Sequence, residues 1–310
     1  MMNFNDALKS FPLLLTEGAV LERVKRVSGV LVDPLLMHAT LIYDDYARGI
    51  LESIYRGYID IAQAQNIPII LYTPTWRANS VRLQERGLAQ KNVNADNFVF
   101  LDAIRKSYGA FSEHIFIGGL IGCKGDAYKP EEALSRKEAA SFHQWQVQKL
   151  AEIDVDFLCA VTLPALSEAL GIAETMSRTE KPYCLSFVIR GNGCLLDGIS
   201  LGTAIDQIDA QVERMPTGYM INCVHPSKVI TILEKQKNNF PFSRLLGIQG
   251  NTSRKDPREL DELEELETED PKQFAQETLQ LHDRFNFKIL GGCCGTDERH
   301  IQCITELMEK

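Results

Sequence analysis

Eight short apolar or β-branched runs alternate with longer amphipathic segments, and this alternation restricts the possible folds more than any other feature. The runs are Pro12–Thr16, Ile67–Thr73, His114–Gly118, Asp156–Ala160, Tyr183–Ile189, Gly218–Asn222, Leu245–Gln249 and Phe287–Leu290. Between and after them lie helical patterns at Asp45–Gln65, Ala78–Arg86, Ala95–Tyr108, Lys137–Ile153, Pro164–Met176, Ile199–Val212, Pro226–Lys237, Pro271–Phe285 and Asp297–Met308. A helix between successive strands carries the chain back across the sheet, so the strands are expected to pair in parallel. Eight such units in 310 residues predict an α/β fold, a single (β/α)8 barrel spanning residues 1–310, since such barrels commonly need about 250 residues. A doubly wound open sheet is the alternative. Against it, the first strand runs into Glu17-Gly18-Ala19-Val20 and not into a GxGxxG turn. No Pro/Gly/Ser-rich linker and no fixed-period repeat divides the chain. Ile50, Ile54, Tyr58 and Ile61 form one apolar stripe on the first long helix, and Pro164 and Pro226 suit first helical turns.

Charge and composition narrow the function. With 33 Lys+Arg against 42 Asp+Glu, the net charge of -9 argues against a phosphate-backbone binder, so no nucleic-acid partner is expected. No apolar run approaches the roughly 18 residues of a membrane span, and the N-terminus lacks the basic-then-apolar order of a secretory signal. Eight cysteines without such a signal point to a reducing cytoplasm, where clustered thiols bind metal or do chemistry more often than they form disulfides. The acidic stretch Asp256–Asp270 reads as a solvated face, with a lid or partner surface as the minority reading.

The strongest local motif is Gly291-Gly292-Cys293-Cys294-Gly295-Thr296, between the eighth run and the last helix. Adjacent cysteines do not readily bridge each other, and flanking glycines allow a tight turn and a close neighbour. Two thiols converging on one point would suit a soft metal such as zinc, held tetrahedrally at about 2.3 Å. Two ligands are too few. Cys223, directly after the sixth run, would supply the third, because strand ends of a barrel share one rim. Cys159, Cys184 and Cys303 lie in apolar patterns and read as core or surface residues. Cys123 and Cys194 sit in glycine-rich loops that could lie near the rim. The six histidines show no metal-ligand spacing; His225 is a candidate to support Cys223 from behind. Asn222 either orients Cys223 or caps the following helix.

Asn222-Cys223 together with Gly291-Gly292-Cys293-Cys294-Gly295-Thr296 resembles the homocysteine S-methyltransferase family, and the likeness extends over nearly the whole chain. Supporting segments are Tyr72-Thr73-Pro74-Thr75-Trp76-Arg77-Ala78-Asn79, Gly125-Asp126-Ala127-Tyr128 with Phe142-His143 and Gln146-Val147, and Leu185-Ser186-Phe187 with Asp197-Gly198. The resemblance implies a zinc-dependent methyltransferase. Cys223, Cys293 and Cys294 would hold Zn2+, and homocysteine would bring its thiol to the fourth position and leave as methionine. Glu17, Gly18, Thr162 and Asn222 would line the acceptor pocket. The partners implied are a small-molecule thiol acceptor and a methyl donor, with a homo-oligomer allowed. The donor is left open among S-methylmethionine, S-adenosylmethionine, betaine and a methyl-corrinoid protein.

Two positions depart from the family pattern. Glu17 stands where an Asp usually ends the first strand. Val161 stands where a Glu is expected to bind the acceptor's ammonium. Two alternatives follow: the same chemistry on a different small thiol, which Val161 favours, and a non-catalytic zinc- or thiol-binding member that docks through Asp256–Asp270.

Overall fold

A computed structural model describes residues 2–236, 240–255 and 268–308. Its centre is a closed barrel of eight parallel strands in sequence order: β1 (Leu14–Thr16), β2 (Ile69–Tyr72), β3 (Ile115–Gly122), β4 (Phe157–Leu163), β5 (Tyr183–Phe187), β6 (Gly218–Asn222), β7 (Leu245–Gly250) and β8 (Ile289–Gly292). Closure is made by β1 against β8, with Leu14 opposite Ile289 and Leu15 opposite Leu290. Each expected run overlaps one strand, with β3, β4, β7 and β8 running past the expected ends, and the open-sheet alternative falls with the closure.

Strand alternation sorts the side chains. Leu14, Ile70, Phe116, Phe157, Cys184, Met220 and Ile289 pack together inside the barrel. Two residues further along, the same parity delivers Tyr72, Ser186 and Asn222 to the C-terminal end of the barrel. The opposite parity, including Leu71, Ile117, Leu158, Leu185, Tyr219 and Leu290, packs outward into the main apolar core. The N-terminal end is closed by a helix the sequence pattern did not reveal, α1 (Phe4–Ser10). Its Phe4 is fully buried and stacks on Phe157, with ring centroids 3.9 Å apart and planes 8° from parallel.

The outer helices are α2 (Leu21–Val24), α3 (Asp45–Ala64), α4 (Ser80–Glu85), α5 (Val93–Lys106), α6 (Arg136–Ala151), α7 (Leu166–Ser177), α8 (Leu201–Gln211), α9 (Pro226–Glu234), α10 (Pro271–Phe285) and α11 (Glu298–Met308). Local signals set their ends. Asp44 accepts from the Ala47 amide to start α3, Ser135 and Glu138 form a reciprocal cap on α6, and Asp270 with Pro271 opens α10. The buried face of α3 is carried by Leu51, Ile54, Tyr55, Tyr58 and Ile59; Ile50 and Ile61 of the expected stripe lie at its edge, half-buried.

Two expectations need correction. Pro226 does begin α9, but Pro164 does not begin α7, which starts at Leu166. Pro164 sits in an extended link whose carbonyl accepts from the Leu196 amide at 3.0 Å, while the Asp197 carboxylate takes the Leu166 amide at 2.7 Å. The helix start is therefore capped from the β5–α8 loop. Second, β4 extends past Ala160 to Leu163 through a bulge. Ala160 pairs with Leu185 and Leu163 with Phe187, so three steps on β4 match two on β5. Residues 256–267 of the acidic stretch, and residue 237 at the expected end of α9, lie outside the described residues.

Candidate active site

The β4 bulge, the end of β6 and the turn after β8 meet at the C-terminal rim. At the bulge Thr162 takes a left-handed backbone, φ 58°, which costs a branched residue on the order of 1–2 kcal/mol. Its amide donates to Asn222 Oδ1 at 3.0 Å, and Asn222 Nδ2 returns a bond to Thr162 Oγ1 at 2.9 Å. Ser186 Oγ also donates to Asn222 Oδ1, at 2.7 Å. A bulge re-aims side chains, and here both Val161 and Thr162 reach the same cavity.

Cys223 is likewise left-handed, φ 56°. Its amide donates to the Gln249 carbonyl at 3.1 Å, and its own carbonyl accepts from Asn251 Nδ2 at 3.1 Å. Asn222 Nδ2 lies 3.2 Å from Cys223 Sγ. Of the two roles considered for Asn222, the geometry gives orientation of Cys223; the cap of α9 is His225. On the far side, a side chain at Gly291 would collide with Thr16, and Gly295 turns the chain with φ 84°. The Cys293 amide is held by the Gly250 carbonyl at 2.6 Å, and Thr296 Oγ1 donates to the Cys293 carbonyl at 2.6 Å while accepting from the Ala19 amide at 3.1 Å.

The outcome is three sulfurs in one place. Cys223 Sγ and Cys293 Sγ are 2.8 Å apart, Cys293 Sγ and Cys294 Sγ 4.0 Å, and all three lie within 4.8 Å of one another. A tetrahedral zinc with bonds of about 2.3 Å needs sulfurs about 3.8 Å apart, so the observed spacings straddle that requirement. Protonation points the same way. Thiol donation from Cys293, with help from Cys294 and Asn222, brings Cys223 well below the usual thiol range. The negative charge this creates raises Cys293 strongly and pushes Cys294 up to about 12. One thiolate forms readily; the others need a cation beside them. Cys223, Cys293 and Cys294 would hold a soft divalent metal, which would supply that charge.

The sulfurs line a cavity of about 660 Å³. Glu17 and Gly18, from the end of β1, and Thr162 and Asn222 line it too, so all the residues expected at the acceptor pocket are brought together. Glu17 is 7 % exposed, and burial raises its carboxyl well above the ordinary value, partly offset by Oε2 accepting from the Tyr72 amide at 2.9 Å. Glu22 is also raised, first by burial, and accepts from the Gly295 amide at 2.5 Å. Val161 adjoins Tyr72, Trp76 and Leu120 along an apolar wall. The hydroxyls of Thr73 and Thr75 fasten the Trp76 turn to β3, through the Leu120 amide at 2.9 Å and carbonyl at 2.7 Å.

Among the other lining groups, His38, Gln249 and Asn251 carry no sequence signal of their own, and Trp76 and Tyr128 appear only within the family-like segments. Tyr128 packs against the sulfur cluster, and the negative charge of Cys223 raises its phenol strongly. Its place in the family-like segment was the available hint. Cys123 and Cys194 stay out of the cluster; burial lifts Cys123 to about 12. Cys159 and Cys184 face each other on β4 and β5 inside the barrel.

His225, Glu269 and Glu277 form a second group with metal-like spacing. Most of its polar atoms are already engaged within the chain, although Glu277 Oε2 is buried without a hydrogen-bond partner. The His225 ring accepts from the Ser227 amide at Nδ1, 3.2 Å, and donates to Glu269 from Nε2, 2.7 Å. Arg254 lies 2.6 Å from Glu269 and 2.7 Å from Glu277. This network ties the turn after Cys223 to the start of α10, so His225 supports Cys223 through the backbone.

A family model described as homocysteine S-methyltransferase matches residues 14–308. The chain belongs to the homocysteine S-methyltransferase family. It is a methyltransferase, which sets aside the non-catalytic alternative. The homocysteine S-methyltransferase YbgG of Bacillus subtilis is 21 % identical over 313 residues, covering 95 % of this chain and 94 % of that protein. The metallated form of the homocysteine methyltransferase MmuM from Escherichia coli superposes with a TM-score of 0.78 at 19 % identity, covering 97 % of this chain and 98 % of that one. Its apo form gives 0.70 at 18 % identity, covering 96 % and 97 %. The two solved structures share the fold over 96–97 % of the chain. Among the described residues no helix is long and apolar enough to cross a membrane.

Proposed function

We propose that the chain methylates homocysteine to methionine, using Zn2+ held by Cys223, Cys293 and Cys294. The observation that carries this reading is the convergence of three cysteine sulfurs within 4.8 Å on the wall of a rim cavity. Zinc bound there would acidify the acceptor thiol, ordinarily near pKa 8.5, and keep its sulfur as a thiolate at neutral pH.

The chain's own residues then position the two substrates. Asn222 holds Cys223 in its strained turn and keeps the β4 bulge open. Glu17 takes the acceptor's ammonium: burial disfavours its charged form, and an arriving cation favours it. One oxygen stays on the Tyr72 amide and the other is left for the ligand. The wall of Tyr72, Trp76, Leu120 and Val161 keeps water from the sulfur and confines the donor methyl to an in-line approach at about 3–3.5 Å.

Val161 supports a second reading. An ammonium facing valine is left without a partner, at a cost of several kcal/mol, so a thiol without an amino group fits that wall better. Two measurements test the proposal. Protein purified under reducing conditions should carry about one zinc per chain, lost in Cys223→Ala. Methyl transfer to homocysteine should exceed transfer to a thiol of equal length lacking the amino group, and Glu17→Gln should remove the preference. Full zinc retention in Cys223→Ala would remove that residue from the ligand set; a wild-type preference for the simpler thiol would replace homocysteine as acceptor.

A further inference from the structure

The connection between β1 and α3 brings an unsatisfied imidazole to the cavity. His38 is 5 % exposed and lines the same space as the three sulfurs. Nδ1 is buried without a partner, and neither ring nitrogen has a hydrogen bond among the described residues. Buried polar groups are normally satisfied, and leaving one bare costs stability. The turn that presents it is well determined. Met37 adopts φ 54°, its amide donates to the Asp33 carbonyl at 2.9 Å, and Asp33 Oδ1 accepts from the Leu35 and Leu36 amides at 2.9 Å each. Asp33 is anchored in turn by Arg86. Nothing in this turn uses the imidazole, so it is built to face something outside the chain.

The surroundings give the chemistry of that ligand. Lys25 also lines the cavity, is exposed, and makes no ion pair with a described residue. Burial, with Lys25 nearby, lowers His38 to about 3, so the ring is neutral and offers one N–H donor. Arg26, the next cation on this wall, is occupied by Glu22 through its carbonyl at 2.8 Å and its carboxylate at 3.5 Å. A buried N–H donor on the same cavity wall as an exposed ammonium without an ion-pair partner among the described residues matches an anionic oxygen pair.

We propose that His38 and Lys25 form a carboxylate-binding subsite that selects amino-acid-like ligands over their decarboxylated counterparts. The subsite rests on the reading of this cavity as the place where acceptor and donor meet. The carboxylate belongs to either the acceptor or the donor, and paired probes separate the two. Calorimetric Kd values are measured on zinc-loaded protein for homocysteine against 3-aminopropane-1-thiol, and for S-methylmethionine against (3-aminopropyl)dimethylsulfonium. Wild type should bind the carboxylate-bearing member of at least one pair about tenfold more tightly. His38→Ala and Lys25→Met should each reduce that gap to within about twofold by weakening the carboxylate-bearing member alone. A gap in the thiol pair assigns the carboxylate to the acceptor; a gap in the sulfonium pair assigns it to the donor. Lys25 is exposed, so Lys25→Met keeps the test decisive if His38→Ala fails to fold. Equal Kd values within both pairs, no binding of either carboxylate-bearing probe, or gaps that survive both substitutions would overturn the subsite. A separate methyl-transfer assay keeps the readings apart: transfer without carboxylate discrimination refutes only the subsite, and discrimination without transfer refutes only the methyl-transfer reading.

Discussion

Asn222, at the end of β6, bonds to β4, to β5 and to the sulfur of its own neighbour at once, and so determines whether a rim of separate strands becomes one site. Its amide engages Thr162 at two atoms, Ser186 Oγ and the Cys223 sulfur. Replacing it with alanine strands a buried amide and two hydroxyls, which should cost on the order of 3 kcal/mol. Urea unfolding of Asn222→Ala measures this; a loss under 1 kcal/mol would show that the two left-handed turns hold themselves. Glu17 gives a pH signature. Its folded-state pKa is raised above the unfolded value, so the folded chain binds more protons between those two values and stability falls as pH rises through that window. Glu17→Gln should therefore melt at a higher temperature than the parent at pH 8 without ligand, with the gap closing toward pH 4.5. A variant less stable at pH 8 would mean the Tyr72 contact outweighs burial. At this scale the sequence spoke unevenly. Cys293 and Cys294 declare themselves by adjacency between glycines. His38 and Asn251 do not, because their role comes from loop trajectories that no spacing rule encodes.

Among the elements, β5 and β6 begin where the apolar runs begin, because β-branched and aromatic runs flanked by turns leave little choice. The departures have physical causes. The β4 extension depends on a bulge that the side chain of Asn222, two strands away, bonds at two atoms. The start of α7 depends on a carboxylate from a loop some 30 residues later. The seven residues of the N-terminal helix α1 carry too short a pattern to signal a helix, yet it fills the barrel floor. Phe4→Ala should cost about 3–5 kcal/mol, read as a lowered urea midpoint, with zinc content unchanged because α1 is at the end opposite the sulfurs. A cost below 1 kcal/mol would mean the floor repacks without it.

For the molecule as a whole, the barrel explains why residues 70 positions apart become neighbours: Cys223 and Cys293 end strands that flank β7, and parallel pairing puts every C-terminal end on the same rim. The eightfold alternation made that rim legible before any contact was known. What the rim encloses was legible only in part, since the cavity is finished by the loop after β1 and the Trp76 turn. The central claim is that three cysteines hold zinc and leave one position for the acceptor's sulfur. Zinc K-edge absorption on the metal-loaded protein, with and without homocysteine, tests it most directly. The account predicts three sulfur ligands and one lighter ligand in the resting protein, becoming four sulfurs when homocysteine is added. A sulfur count unchanged by homocysteine, or fewer than three sulfurs at rest, would contradict it.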